Sequence, residues 1–332
     1  MFITDGDDRR WQGWPPDRDG TMKWLLLLAL LLLLALWLLW TPDRSVAELQ
    51  QRYLRSPDDF VQLDDFVQLD DIRLHMREDG PRTGPALILL HGLGASLHTW
   101  EDWVPALARD HRVIRLDLPG FGLTGPDPSG DYSDQRSMDL LLQLMARLGL
   151  EQSTLIGNSL GGRIAWRFAA AHPDRVDKLV LISPDGFASP GFDYEQTPEI
   201  PAAMQLMRYS MPKWMLAMNL KPAYADATVV TPELLTRYHD LLLYPGNRAA
   251  VLQRLQQVRL ARPEPLLQQI TAPVLLLWGD QDALIPVSNA QDYTAVLADS
   301  SLHILPGVGH LPQEEAAQES LQPLLAFLRQ HR

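Results

Sequence analysis

The strongest hydrophobic signal in the chain comes early. Trp24 to Trp40 reads WLLLLALLLLLALWLLW, seventeen residues without a charge. At ~1.5 Å rise per residue a helix of that length spans roughly 26 Å and reaches across a hydrocarbon core. Tryptophans at both ends suit the headgroup boundary, and Lys23 on one side with Pro42, Asp43 and Arg44 on the other close the segment with polar residues. The pattern predicts an uncleaved transmembrane signal-anchor at 24–40, between an N-terminal tail (1–23) and a linker (41–57). A signal peptide cleaved near Ser45-Val46-Ala47 is the alternative, but that site lies well downstream and such apolar regions usually run ~7–15 residues. A buried soluble helix is a third reading. Arg9, Arg10, Arg18 and Lys23 precede the segment against Arg44, Arg52 and Arg55 after it. That bias favours a cytoplasmic N-terminus with the globular part on the far side of the membrane; the localisation expected is a bacterial inner membrane, with that part in the periplasm.

Beyond the linker the hexamer DDFVQL occurs twice in succession between Asp58 and Leu69. Its alternation predicts strand, and with Ile72 to Arg77 an N-terminal hairpin. Ala86 to Leu90 (ALILL) is a continuous apolar run of the kind buried on both faces of a sheet. Strand-like and helix-like segments then alternate: Arg112–Asp117, a helix over Asp134–Leu148 with Leu141, Leu142, Met145 and Leu148 on one face, Ser153–Gly157, a helix over Leu160–Ala171, and Lys178–Ser183. The alternation resumes with Pro273–Trp278, Ser301–Leu305 and a final helix over Gln313–Arg329. This punctuation predicts an α/β fold, a mostly parallel sheet with helices on both faces, whose ligands sit beyond the carboxyl ends of the strands. The intervening stretch reads as helices broken at Pro222, Pro232 and Pro245, a helical cap over 186–270 inserted before the last two strands. The core then comprises 58–185 and 271–332. Within the cap, Met204, Met207, Met211, Met215 and Met218 form a helical stripe interrupted by Pro212, expected either to pack between cap helices or to line a pliable acyl site.

Composition excludes more than it identifies. A net charge of −12 leaves no basic face for nucleic acid, and the absence of cysteine removes disulfides, thiolate metal sites and thiol nucleophiles. Serine, threonine and carboxylates remain. Gly157-Asn158-Ser159-Leu160-Gly161 follows a predicted strand and opens a predicted helix, the setting in which G-x-S-x-G forms a tight elbow presenting the serine hydroxyl. Such a serine needs a base and a carboxylate that fixes the base's tautomer. His310, in GVGHLP after the last strand, is the candidate base, whereas His303 lies inside that strand and reads as a packing residue. Asp280 and Asp282 in WGDQD both follow a strand, and Asp185 is a third candidate acid; position alone does not choose among them. The oxyanion donors expected are the amides of Leu160, after the nucleophile, and Leu93, in His91-Gly92-Leu93-Gly94 after ALILL. His91 reads as a stabiliser of that loop.

These residues together resemble the α/β-hydrolase superfamily from about Phe60 onward, through HGLG (91–94), DLPGFGLTG (117–125), GNSLGG (157–162), WGDQD (278–282) and GVGH (307–310). The capped serine branch is the nearest likeness; it includes esterases, lipase-like enzymes and hydrolases of aromatic ring-cleavage products. The resemblance implies that the last aspartate of W-G-x-x-D is catalytic, which assigns the acid to Asp282. Haloalkane dehalogenases and epoxide hydrolases are similar but carry aspartate where this chain has Ser159. Thr124, where many members have serine, reads as structural. Leu311, where ring-cleavage hydrolases often have tryptophan, argues against carbon-carbon chemistry. The sequence thus predicts a membrane-anchored carboxylic ester hydrolase with the triad Ser159, Asp282 and His310, an oxyanion hole at Leu93 and Leu160, a small lipophilic ester as substrate, no nucleic acid partner and no cofactor or metal. A carbon-carbon hydrolase of meta-cleavage products and a non-catalytic binding protein are the alternatives.

Overall fold

The computed structural model describes residues 18–55, 66–69, 72–197 and 199–330, and the chain divides between Thr41 and Pro42 into two units. In the first, α1 (Arg18–Leu39) carries the leucine run. Its stretch Met22–Leu39 has a mean hydropathy of 2.5, long and apolar enough to cross a membrane by length and composition.

The second unit begins with a departure from expectation. The stretch read as a linker contains α2 (Val46–Tyr53), capped by Ser45, whose Oγ accepts the Glu48 amide at 3.2 Å. Leu49, Tyr53 and Leu54 are buried against Leu123 and Leu241, and Arg52 and the Tyr53 hydroxyl bond the Asp240 carboxylate at 2.8 and 2.9 Å. A few apolar residues at helical spacing within a polar segment are enough to fasten it once a complementary surface exists.

Among the described residues eight strands follow: β1 (Phe66–Leu69), β2 (Ile72–Asp79), β3 (Ala86–Leu90), β4 (Arg112–Leu116), β5 (Ser153–Asn158), β6 (Val176–Ile182), β7 (Val274–Gly279) and β8 (Ser300–Leu305). They form one sheet in the order β1-β2-β4-β3-β5-β6-β7-β8. The β1–β2 and β2–β4 pairings are antiparallel and the remainder parallel. The predicted hairpin is formed by the second hexamer copy, with Phe66 opposite His75; the first copy lies outside the described residues. The continuous apolar runs follow from burial on both faces. In β3, Ile88 and Leu90 enter one core while Leu87 and Leu89 enter the other, and β7 splits its residues in the same way.

On the first face lie α4 (Asp134–Arg147), α5 (Leu160–Ala171), α9 (Glu264–Leu267) and α10 (Ser288–Val296); on the second lie α3 (Val104–Leu107) and α12 (Ala317–Gln330). Two helical readings need correction. In α4 burial centres on Met138, Leu141, Leu144 and Met145, with Leu142 and Leu148 at its margin. The final helix is split at Ala316 (φ −136°, ψ 54°) into α11 (Pro312–Glu315) and α12. The break turns Glu314 and Glu315 back toward the segment between β6 and β7, where Glu314 accepts from Arg237 at 3.1 Å and Glu315 from the Asp226 amide at 2.7 Å.

That segment is helical, with α6 (Lys213–Leu220), α7 (Pro232–Leu242), α8 (Asn247–Gln257) and α9; short 3₁₀ helices precede α6 and connect it to α7. Pro232 is the first residue of α7, where its missing N–H costs nothing. The methionine stripe is not one helix. Met204 and Met207 lie on a 3₁₀ helix, Met215 and Met218 on α6, and of the five only Met211 is buried.

Candidate active site

The sheet brings the carboxyl ends of β3, β5 and β7 and the turn after β8 to one place. Ser159 sits between β5 and α5 with φ 53° and ψ −116°, a backbone conformation that a side-chain-bearing residue adopts only under constraint. The constraint is steric. A Cβ on Gly157 would run into the Gly161 carbonyl, and one on Gly161 into the carbonyl oxygen of Leu90, so the turn closes only with glycine at both positions.

The structure separates the candidate acids. His310 Nδ1 lies 2.8 Å from Asp282 Oδ2, while Asp282 Oδ1 accepts the amides of Leu284 and Ile285, each at 2.9 Å. Burial raises the Asp282 pKa, but the bond to His310, its charge and the two amides outweigh it and hold the carboxyl below its ordinary value. Asp280 instead accepts the Gly307 amide at 2.7 Å and shapes the turn ahead of His310. Asp185 is paired with Arg163 at 2.9 Å. His303 lies in β8 as expected but is exposed, so the expectation of a packing role fails.

The loop carrying His310 is pinned from several directions. The His310 amide donates to Ala223 O at 2.8 Å, the Gly309 amide to Glu315 at 2.7 Å, and Asn158 Nδ2 to His310 O at 3.1 Å. Asn158 also donates to Ile182 O at 3.1 Å, so the residue before the serine ties β6 to the histidine loop. Asn158 fills a variable position of G-x-S-x-G, so no sequence signal marks it as functional.

Gly92 to Ala95 forms a tight turn closed by the Ala95 amide on Gly92 O at 3.2 Å, with Gly94 at φ 75°. His91 supports it: Nε2 accepts the Leu118 amide at 3.0 Å, which leaves Nδ1 as the donor to Gly92 O at 2.8 Å. Burial lowers the His91 pKa and keeps the ring neutral, which this arrangement requires. Thr124 is structural as predicted, donating to Asp117 O and accepting the His75 amide, both at 2.8 Å.

Ser159, His310, Leu93 and Leu160 all line one cavity of about 370 Å³, though no hydrogen bond joins the serine to the histidine. Its walls are mainly apolar, from Phe192, Leu220, Leu255, Val258, Ile285 and Leu311 among others. None of the five methionines takes part, so a cavity-lining role for that stripe is not met; leucine, valine, isoleucine and phenylalanine supply the apolar walls. Two buried cations that sequence reading did not single out also reach the cavity. Arg163 is held by Asp134 and Asp185, at 3.0 and 2.9 Å. Arg254 donates to the carbonyls of Tyr132 and Pro119 and lies against the rings of Phe121 and Tyr132. Burial lowers the Arg254 pKa to about 10, well above neutrality, so the guanidinium stays charged.

An elbow serine, a carboxylate-bound histidine and a mostly parallel sheet with this strand order define the α/β-hydrolase class. Residues 85–317 match the family model of the alpha/beta hydrolase fold, and the chain belongs to that family. It is 29% identical over 264 residues to a 2-hydroxy-6-oxo-6-phenylhexa-2,4-dienoate hydrolase of Burkholderia cepacia, covering 77% of this chain and 91% of that one. It is 32% identical over 261 residues to the dihydrolipoyllysine-residue acetyltransferase component of an acetoin cleaving system of Pseudomonas putida, covering 76% of this chain and 66% of the relative. Among solved structures, a bacterial membrane phospholipase A, described as a virulence factor, superimposes with a TM-score of 0.71 at 28% identity, covering 94% of this chain and 99% of that one.

Proposed function

We propose that the chain is a membrane-anchored serine hydrolase that cleaves lipophilic carboxylic esters. The observation that carries this reading is the 2.8 Å Asp282–His310 bond, with His310 and the elbow serine facing one largely apolar cavity. Asp282 holds the proton on Nδ1, so Nε2 is free to take the Ser159 proton as Oγ attacks the ester carbonyl. The Leu93 and Leu160 amides receive the developing oxyanion. His310 then returns the proton to the leaving alcohol, and water releases the acyl group from Ser159 by the same route in reverse. Residues 186–270 act as the cap over this site, on the core formed by 58–185 and 271–332. The anchor is α1, with the hydrolase unit on the periplasmic side of a bacterial inner membrane. The likeness to a membrane phospholipase A over 94% of this chain, against 77% for the dienoate hydrolase, supports both parts of the reading.

A carbon-carbon hydrolase is the second reading, favoured by the match over 91% of the dienoate hydrolase's length. The full chain in nanodiscs, assayed against a p-nitrophenyl ester chain-length series and against 2-hydroxy-6-oxo-6-phenylhexa-2,4-dienoate, separates the two. Ester turnover that disappears in Ser159→Ala is the expected result. Preferential turnover of the dienoate would replace the ester reading, and failure of folded protein on both would leave a binding role. A reporter fused after Arg332 that is active only in the cytoplasm would overturn the topology.

A further inference from the structure

From Pro42 onward, the exposed large apolar side chains among the described residues are concentrated. Met204, Leu206, Tyr209, Trp214 and Met218 fall within one stretch, Leu93 and Leu284 line the cavity that holds Ser159, and Ile304 stands apart on β8. Leu206, Trp214 and Met218 are 63%, 56% and 67% exposed. Scattered exposed leucines need no explanation, but five large apolar residues in fifteen positions do. Trp214 and Met218 are four apart on α6 and so share a face, while Asn219 and Leu220 of the same helix line the cavity. The outward face of this segment therefore adjoins the walls of the reactive site.

Charge sets the same stretch apart. Pro201 to Ala225 contains Arg208, Lys213 and Lys221 and no acidic residue, in a chain of net charge −12. Exposed tryptophan and tyrosine among apolar and basic residues match the chemistry of an anionic lipid surface, in which the rings sit at headgroup level and the cations meet phosphates.

The tether points to the same place. After α1 ends at Leu39, only Trp40, Thr41 and Pro42 precede Asp43, whose carboxylate bonds Arg248 of α8 at 2.7 Å. The next amide, of Arg44, donates to Leu243 O just after α7 at 2.8 Å. Four peptide steps from Leu39 to Asp43 reach at most roughly 14 Å. The chain thus joins the hydrolase unit at the cap, and a bilayer holding α1 would keep the cap near its surface.

We propose that the outward face of 204–218 lies in the headgroup region of an anionic bilayer, so that lipophilic substrate passes from membrane to cavity without crossing water. This rests on reading α1 as a membrane anchor, and the test separates the two claims. Because the chain has no cysteine, single cysteines can be placed in the full-length protein by Leu206→Cys, Met218→Cys, Leu31→Cys in α1 and Gln322→Cys on α12 as an exposed control. Each is labelled with an environment-sensitive fluorophore and reconstituted at one copy per nanodisc in phosphatidylglycerol-containing lipid, with and without brominated acyl chains. The expected result is strong quenching at 31, blue-shifted and quenched emission at 206 and 218, and water-like, unquenched emission at 322. Quenching at 31 with water-like emission at 206 and 218 would overturn the docking face and leave the anchor; no quenching at 31 would overturn the anchor itself. Emission at 206 and 218 that shifts only with two copies per disc, without lipid quenching, would make the face a contact between copies and reject the bilayer as its occupant.

Discussion

Replacing Asp282 by asparagine tests the triad at its most discriminating point, because the structure fixes which way the new amide must face. Asp282 Oδ1 accepts two backbone N–H groups, from Leu284 and Ile285, each at 2.9 Å. An asparagine NH₂ there would oppose both donors, so its oxygen must take the Oδ1 place and its NH₂ the Oδ2 place, 2.8 Å from His310 Nδ1. His310 then has to accept at Nδ1, which moves its own proton to Nε2, toward the cavity, where it cannot take the serine proton. Loss of a base through the wrong tautomer is worth about 10⁴ in kcat, or roughly 5.5 kcal/mol of activation free energy. Folding is affected far less. The two backbone donors keep their acceptor, and exchanging a charge-assisted bond for a neutral one costs about 1 kcal/mol, a Tm loss of about 2–4 °C. The assay is steady-state kcat on a short p-nitrophenyl ester together with thermal unfolding by circular dichroism. A kcat within tenfold of wild type at unchanged Tm would refute the argument, since His310 would then be oriented by something other than Asp282.

Three further outcomes are expected. Ser159→Gly and Ser159→Ala should both be inactive, but the glycine variant should be about 1 kcal/mol the more stable, because φ 53° strains only the residue with a Cβ; equal Tm values would deny that strain. Asn158→Ala should lower kcat roughly tenfold with little change in KM, through loosening of the His310 loop by loss of the 3.1 Å bond to its carbonyl; unchanged kcat would show that the Gly309 and Ala223 contacts suffice. Acid should destabilise the fold through depressed carboxylates. Asp117 is fully buried, yet His75 at 2.7 Å outweighs the burial that raises its pKa and holds it far below the ordinary value. A depressed folded pKa contributes stability above the unfolded value of about 3.9 that is lost as pH falls through the lower folded value, so Tm should drop steeply below about pH 4. Asp117→Asn should shallow that drop, and an unchanged slope would remove Asp117 from the account.

Much of the site was legible because its chemistry follows the chain. G-x-S-x-G between a strand and a helix admits few conformations, and GVGH and WGDQD each follow a strand end, so Ser159, His310 and a short list of acids could be named from residue types and order. The choice between Asp280 and Asp282 was not open to position, since both leave the same strand; the family likeness favoured Asp282, and the fold brings its carboxylate to the His310 ring and that of Asp280 to the Gly307 amide. The stretch after α1 was misread for a related reason. Leu49, Tyr53 and Leu54 carry too little apolar surface to announce a packed helix, and their partners Leu123 and Leu241 lie far away in sequence.

What the sequence by itself determined is everything governed by local period and steric rule: the membrane-length apolar helix, the alternation that builds a mostly parallel sheet, and the glycines without which the elbow cannot close. What only the tertiary structure decided are relations between distant segments. Asn158 and Ala223 hold the histidine loop, Arg163 and Arg254 reach the cavity, and the methionines stand outside it. The physical reason is that periodicity fixes which face of an element is apolar, whereas the partner of a polar side chain depends on how separate segments pack together, which no local pattern encodes.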